Sequence, residues 1–343
     1  MLEHRNWMKR ALDLAGHALG YVAPNPVVGA VLVYDNKIIG EGYHRAYGNK
    51  HAEIEAFDSV ADEWKFAIPE STLYVTLEPC NHSGKTGPCT HRILLEKVKN
   101  VVVAQSDPNP LVAGKGIAFL RSNNIHVEIG ILESEARNLN RRFNTFHEKK
   151  RPYIHLKWAE SKFGYIAPSG GKKVAISHEL SSVFTHKWRS EEQGILIGAN
   201  TYILDNPSLN VRNWTGKNPQ KIVLDPDGKL REYALEEKDW WVFTDESILQ
   251  QMKNNHQRKA IRQDIIPSLL ENLYQLNMQS ILVEGGAITL QSFINANLWD
   301  ECHIIQTENE LKEGVLAPTI KGNIQNVIHL GTDTILCMNN LSI

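Results

Sequence analysis

The sequence predicts an α/β protein of two domains, and three observations carry that prediction. The chain has 343 residues, about twice the usual size of a single domain. Short apolar, β-rich runs alternate with amphipathic helical patterns, which points to layered α/β structure. That alternation runs through once, stops at the charged stretch His147-Glu148-Lys149-Lys150-Arg151-Pro152, and then starts again. A break of that kind marks a domain boundary, so the reading is one domain over 1–147 and a second over 148–343.

The elements follow in order. Residues 2–19 read as a helix, because Leu2, Trp7, Met8, Leu12, Leu14, Ala15 and Leu19 recur near a period of 3.6. Val27–Tyr34 is an apolar strand, and Lys37–Gly42 answers it across the turn pair Asp35-Asn36. A short helix is expected over Ala52–Val60, a strand over Ser71–Leu77, a helix over Thr90–Val98 and a strand over Asn100–Ala104. The first domain closes with a helix at 115–123, a strand at Ile125–Ile129 and one last helix over Glu133–Phe146. In the second domain, strands are expected at Tyr153–Ala159, Gly194–Ile197, Lys221–Leu224, Trp240–Phe243, Ser280–Val283 and Glu301–Gln306. Helices are expected at Ser177–Arg189 and Ala287–Ala296, with a helical turn at Thr201–Leu204. The Lys/Asn/Gln-rich stretch 250–264 reads as a solvated helix or loop.

Composition excludes several classes. There are 37 Lys+Arg against 39 Asp+Glu, split 18 to 17 up to residue 150 and 19 to 22 after it. Neither half carries the basic surplus of an electrostatic nucleic-acid binder. No run of apolar residues is long enough for a membrane span. The charged, amphipathic start is unlike a secretory signal, so the expected compartment is the cytoplasm. Four cysteines, Cys80, Cys89, Cys302 and Cys337, are too few for a disulfide scaffold of this length.

Chemistry concentrates in the first domain. His51-Ala52-Glu53 is followed by Pro79-Cys80 and Pro88-Cys89. One imidazole and two thiolates are a donor set for catalytic zinc, which keeps a position open for water. Glu53 sits at the start of a helix, placed to act as general acid/base beside the metal rather than as a ligand. This resembles the signature of zinc deaminases, H-x-E with P-C-x-x-C, from which the wider spacing of the cysteines here departs. Here eight residues separate the cysteines, and the insert is polar and turn-rich. Cys302 and Cys337 are expected in the core.

At this point the residues carry a resemblance. Pro24-Asn25-Pro26-Val27-Val28-Gly29, Gly42-Tyr43-His44, His51-Ala52-Glu53, the whole run Glu78-Pro79-Cys80 through Pro88-Cys89, and Asp107-Pro108-Asn109-Pro110 stand in this order. Over about 5–147 they resemble the deaminase half of the bifunctional riboflavin-biosynthesis deaminase/reductase, and the long inter-cysteine insert is the specific part. The resemblance implies a cytidine-deaminase-like three-layer α/β domain. It also implies a diaminopyrimidinone ribosylamine 5′-phosphate as substrate. It places Asn25 on the base, and His44, His82, Lys85, Thr86, Asp107 and Asn109 on the base, ribose or phosphate.

The second domain has no G-x-G-x-x-G. Its functional clusters are Lys157 to Ser161, Gly198 to Arg212, and Val283-Glu284-Gly285-Gly286-Ala287, a strand running into a glycine turn and a helix. A glycine turn before a helix offers free backbone N–H groups to a phosphate. In order, over about 151–308, these clusters resemble the reductase half of the same family. That implies a dihydrofolate-reductase-like α/β fold and NADPH as hydride donor. The resemblance sets Lys157, Asp205 and Glu284 around the reacting sugar. It puts Arg189 and Arg212 on the substrate phosphate, with Leu209 and Glu284 also on the substrate. It assigns Ala159, Ser161, Ala175, Thr201, Asp205, Gly285 and Gly286 to NADPH. The chain departs from the family at Phe163, where an aspartate is usual, and at Ala175, where a tryptophan is usual. Two readings compete with the bifunctional enzyme: a zinc deaminase of another free nucleotide with an inactive or altered reductase domain, and a structural zinc protein. The resemblance further implies association of copies through the reductase half, with a small-molecule substrate and no nucleic-acid or membrane partner.

Overall fold

A computed structural model describes residues 2–81, 87–169, 176–233, 240–251 and 258–341. The chain divides into two compact units, Met1–Lys150 and Arg151–Ile343.

The first unit runs α1 (Leu2–Gly16), β1 (Gly29–Tyr34), β2 (Lys37–Tyr43), α2 (Ala52–Asp58), a 3₁₀ segment (Asp62–Glu70), β3 (Thr72–Leu77), α3 (Cys89–Leu95), β4 (Asn100–Gln105), α4 (Lys115–Ser122), β5 (His126–Ile129), α5 (Glu133–Leu139) and α6 (Arg141–Lys149). Among the described residues, five strands form one sheet in the order β2-β1-β3-β4-β5. The β1 pairings are antiparallel and those of β3 with β4 and β4 with β5 are parallel. Side chains alternate between the two faces of a strand, and this sorts the core into layers. Ala30, Leu32, Leu73, Val75, Val101 and Val103 face α2, α3 and α4. Val31, Val33, Tyr74, Val102 and Ala104 face α1 and α5. The result is the expected three-layer sandwich.

The expected single helix over Glu133–Phe146 is two helices. Asn140 is their junction, and its buried side chain bonds both Val27 N and Val27 O, each at 2.9 Å. A side chain drawn onto another segment's backbone breaks the helical run. The 3₁₀ segment was not foreseen.

The second unit adds β6 (Tyr153–Glu160), β7 (Tyr165–Ala167), α7 (Glu179–Glu191), β8 (Gly194–Gly198), α8 (Ala199–Asp205), β9 (Gln220–Leu224), β10 (Trp240–Asp245), α9 (Glu246–Leu249), β11 (Arg258–Ile261), α10 (Ile265–Gln275), β12 (Ser280–Val283), α11 (Ala287–Asn295), β13 (Glu301–Gln306), β14 (Val315–Leu316), β15 (Asn323–Leu330) and β16 (Asp333–Asn339). Among the described residues the large sheet has nine strands, β11-β10-β9-β8-β12-β6-β13-β16-β15. The strands from β11 to β13 pair in parallel, and β16 and β15 close the edge as an antiparallel hairpin. Helices α10 and α11 pack on one face through Leu269, Leu273, Leu290 and Phe293. Trp188 of α7 and Ala199 of α8 pack on the other.

Several elements differ from expectation, the short β7, α9 and β14 among them. Residues 258–261, inside the stretch read as solvated, form edge strand β11. Helix α10 was missed, although Ile266, Leu269, Leu270 and Leu273 give it a regular buried stripe. The β15–β16 hairpin was missed because β15 is exposed along nearly its whole length and lacks the alternation that marks a half-buried strand.

Candidate functional sites

In the first unit, two helix starts and a strand end bring the metal-type ligands together. His51 is the N-cap of α2, Cys89 is the first residue of α3, and Cys80 follows β3 by three residues. Their ligating atoms lie within 4.8 Å of one another. His51 Nδ1 faces both sulfurs, 3.2 Å from Cys89 Sγ and 3.4 Å from Cys80 Sγ. The Cys89 N–H also points at Cys80 Sγ, at 3.4 Å. Glycine sets the height of α2 on the sheet, since a Cβ on Gly42 would lie 2.5 Å from Glu55 Cβ and 2.6 Å from Ala56 N.

The electrostatics suit a metal site. Hydrogen bonds from the Cys89 thiol, His51 and the Cys89 backbone outweigh burial and hold the Cys80 thiol near 4. Cys89 is pushed up, by its bond to Cys80 and by burial. Glu53 is 3% exposed. Burial and the Cys80 thiolate raise its carboxyl to about 7, against opposing pulls from His51 and Cys89.

His44 is buried beside this cluster, its ring 5.5 Å from that of His51. His44 Nδ1 lies 2.9 Å from the Lys50 carbonyl, which assigns the ring proton to Nδ1. The Nε2 lone pair is then available to accept from Asn25 Nδ2 at 3.0 Å. His44 therefore orients the Asn25 amide, and burial lowers its own pKa. Asp107 and Asn109 share one turn, with the Asn109 N–H on Asp107 Oδ1 at 2.8 Å. His82, Lys85 and Thr86 lie outside the described residues. Glu78, to which the sequence reading gave no role, sends its buried carboxylate to backbone N–H groups of the segment 107–117.

In the second unit a cavity of about 1120 Å³ opens along the ends of the parallel strands, the usual ligand side of such sheets. Its lining includes Lys157, Ala159, Thr201, Asp205, Glu284, Gly285 and Gly286, so the structure brings together most of the predicted residues. The glycine turn is tight for a reason. A Cβ on Gly198 would fall 2.4 Å from Thr289 Oγ1, and one on Gly286 would meet Thr201 Oγ1 at 3.2 Å. Thr201 Oγ1 accepts the Gly286 N–H at 3.1 Å, so α8 and the start of α11 are tied side by side.

Glu284 is the charged centre of this cavity. Arg189 grips it with two bonds, Nε to Oε1 at 2.7 Å and Nη2 to Oε2 at 2.8 Å, and Lys157 Nζ stands 3.8 Å from Oε2. Burial alone would raise the Glu284 pKa, but Lys157 and Arg189 outweigh it and hold the carboxyl near 2. Burial lowers that of Lys157, with Glu284 opposing.

Four predicted residues stand apart from the cavity lining. Arg189 is committed to Glu284 and to the Asn210 carbonyl, at 3.1 Å, an occupation different from phosphate binding. Arg212 is exposed and bonds Asn210 Oδ1 at 3.0 Å. Leu209 is buried in the core cluster under α7 and α8, at a left-handed φ of 49°. The Ser161 hydroxyl donates to the Leu311 carbonyl and receives Phe163 N and Tyr165 N, which ties its turn to the segment at Leu311 and leaves it so occupied. Phe163 is 47% exposed. Ala175 lies outside the described residues. The sequence reading missed Asp225, a fully buried carboxylate on the cavity wall that accepts Lys229 N and Leu230 N.

Comparison with known proteins agrees with both halves. A family model for the cytidine and deoxycytidylate deaminase zinc-binding region matches residues 1–105, and one for the RibD C-terminal domain matches 152–307. The riboflavin biosynthesis protein RibD of Aquifex aeolicus is 37% identical and covers 97% of each chain. That of Bacillus amyloliquefaciens is 37% identical over 92% of this chain and 86% of its own. A RibD structure from Acinetobacter baumannii superposes with a TM-score of 0.87 at 32% identity, covering 98% of this chain and 99% of that one. The Thermotoga maritima diaminohydroxyphosphoribosylaminopyrimidine deaminase/5-amino-6-(5-phosphoribosylamino)uracil reductase gives the same TM-score and identity, with 99% of each chain covered. Across nearly its full length, this chain belongs to the RibD family of riboflavin-biosynthesis proteins.

Proposed function

We propose that the chain performs two successive reactions of riboflavin biosynthesis. The first is hydrolytic deamination of the diaminopyrimidinone ribosylamine 5′-phosphate. The second is reduction of the ribosyl group of the deaminated product to ribityl. Residues 1–147 are assigned to the deaminase and 148–343 to the reductase. The observation that carries the reading is the convergence of His51, Cys80 and Cys89 beside a buried Glu53, in a chain of this family.

The donor set fits zinc, with one nitrogen and two sulfurs and a position left over. His51, Cys80 and Cys89 would hold the ion, which supplies Lewis acidity toward water when bound. The residues do the rest. Asn25, oriented by His44, reads the base. Glu53 takes a proton from water and returns one to the departing amine, so that C–NH₂ and H₂O give C=O and NH₃. His82, Lys85, Thr86, Asp107 and Asn109 are assigned to the base, ribose or phosphate of the substrate.

The second cavity fits NADPH by its size and by the turn Gly285-Gly286, where added Cβ atoms would crowd Thr289 and Thr201. Ala159, Ser161, Ala175, Thr201, Asp205, Gly285 and Gly286 are assigned to the dinucleotide, which supplies a hydride for C1′ of the ribosyl group. Lys157, Asp205 and Glu284 would surround the sugar, with Lys157 delivering a proton to the oxygen released from C1′. Leu209 is assigned to the substrate, on the loop that also carries Arg212. Arg212, exposed on that loop, suits the phosphate, and Arg189 serves by holding Glu284.

Among the described residues no helix is long and apolar enough to cross a membrane. We assign the enzyme to the cytoplasm, with no nucleic-acid partner, and to a homo-oligomer built through the second unit. Exposed Ile324 and Val327 on the edge strand β15 support that association. The test is ammonia release from the diaminopyrimidinone substrate without NADPH. Release that disappears on zinc chelation supports the reading, and no release sinks it.

A further inference from the structure

Glu78 lies two residues before Cys80 and is only 4% exposed. Its carboxylate accepts four backbone N–H groups. Oε2 takes those of Asp107 at 3.2 Å and Gly114 at 2.9 Å. Oε1 takes those of Gly116 at 2.9 Å and Ile117 at 3.2 Å. The first turn of a helix leaves its N–H groups without helical partners. The α4 N-cap is Gly114, which has no side chain to accept them. Glu78 supplies the acceptor from the end of β3. A second contact makes the junction close: a Cβ on Gly116 would lie 2.0 Å from the Pro79 carbonyl oxygen. The start of α4 is therefore pressed against the peptide that leads into Cys80. Between Asp107 and Gly114 runs the loop that carries Asp107 and Asn109. Within the loop, the Asn109 N–H bonds Asp107 Oδ1 and the Leu111 N–H bonds Asn109 Oδ1, which shapes the turn.

We infer that Glu78 is a positioning residue for the deamination. It clamps both ends of the 107–114 loop onto the segment bearing Cys80, so that Asp107 and Asn109, assigned to the substrate, stand at a fixed place relative to the metal ligands. This rests on the deaminase reading above.

Glu78→Gln tests it in the full-length enzyme. The amide keeps the shape but turns one oxygen into a donor, so one pair of N–H groups faces another N–H. The expected result is a KM for the deaminase substrate raised by about tenfold or more. The fall in kcat should be smaller, and zinc content and reduction of the deaminated intermediate should stay as in wild type. An unchanged KM overturns the inference. So does zinc loss in step with activity, which would make Glu78 a support of the metal ligand alone. Should the variant fail to fold, hydrogen exchange in the wild type decides. The amides of Gly114, Gly116 and Ile117 should exchange as slowly as those of β3, and exchange at open-loop rates contradicts the clamp. A wild type that releases no ammonia fails the deaminase reading instead, and is told apart by that.

Discussion

At the residue scale the two sites use carboxylates in opposite ways. Glu53 is buried among thiols and is raised toward 7 by burial first and the Cys80 thiolate second. Glu284 is buried between two cations and is driven down to about 2. Glu53→Gln is expected to retain zinc and to lose ammonia release by about 10²–10⁴-fold, the usual worth of a general acid/base. Metal analysis alongside the rate checks this, and loss of zinc as well contradicts the role. Glu284→Gln leaves Lys157 and Arg189 as buried cations without their counter-charge. Breaking a buried pair in this way costs roughly 3–5 kcal/mol, measurable by urea unfolding. The sign of the pH effect follows from the depressed pKa. Stability from Glu284 is complete above its ordinary value of 4.5 and drains away as pH falls from there toward 2. Unfolding followed between those limits should be less pH-dependent in Glu284→Gln than in wild type.

At the element scale, placement of catalytic groups depends on close backbone contacts that glycine permits. Helix α2 carries Glu53, begins after His51 at its N-cap position, and rests on β2 at Gly42. Gly42→Ala would press a Cβ against Glu55 and the Ala56 backbone, which cannot rotate away. Overpacking of this kind costs about 1–3 kcal/mol. A thermal melt should show that loss, together with slower deamination, because α2 must lift. The same scale explains what could be read from sequence. His51, Glu53, Cys80 and Cys89 were legible because few residue types bind zinc and their spacing matches helix starts and a strand end. The Glu78 clamp was not legible, because it bonds backbone groups 29 to 39 residues away, and spacing does not encode backbone acceptors. The break at Asn140 was hidden for the same reason, since its partner Val27 is 113 positions earlier. In the second unit, the cavity draws its lining from many elements between Lys157 and Val315. Motif reading named its residues, but the commitment of Arg189 to Glu284 emerged only from geometry.

At the scale of the whole molecule, each unit has its own sheet and its own apolar core. Damage to one site should therefore spare the other. Cys80→Ala is expected to lose zinc and ammonia release while still reducing the pre-formed deaminated intermediate at the wild-type rate. Parallel assays of the two half-reactions check this, and a collapse of both activities contradicts independent units. The departures at Phe163 and Ala175 bear only on the second reaction, so they leave the first as a separate expectation.

The central claim, two ordered reactions on one chain, is tested most directly by stoichiometry. The purified protein is given the diaminopyrimidinone ribosylamine phosphate, and ammonia is followed first without NADPH and then with it. Full ammonia release is expected before NADPH is added, followed by oxidation of NADPH equal in amount to the ammonia released. No ammonia, or NADPH oxidation that precedes it, would show that the chain does not run these two reactions in this order.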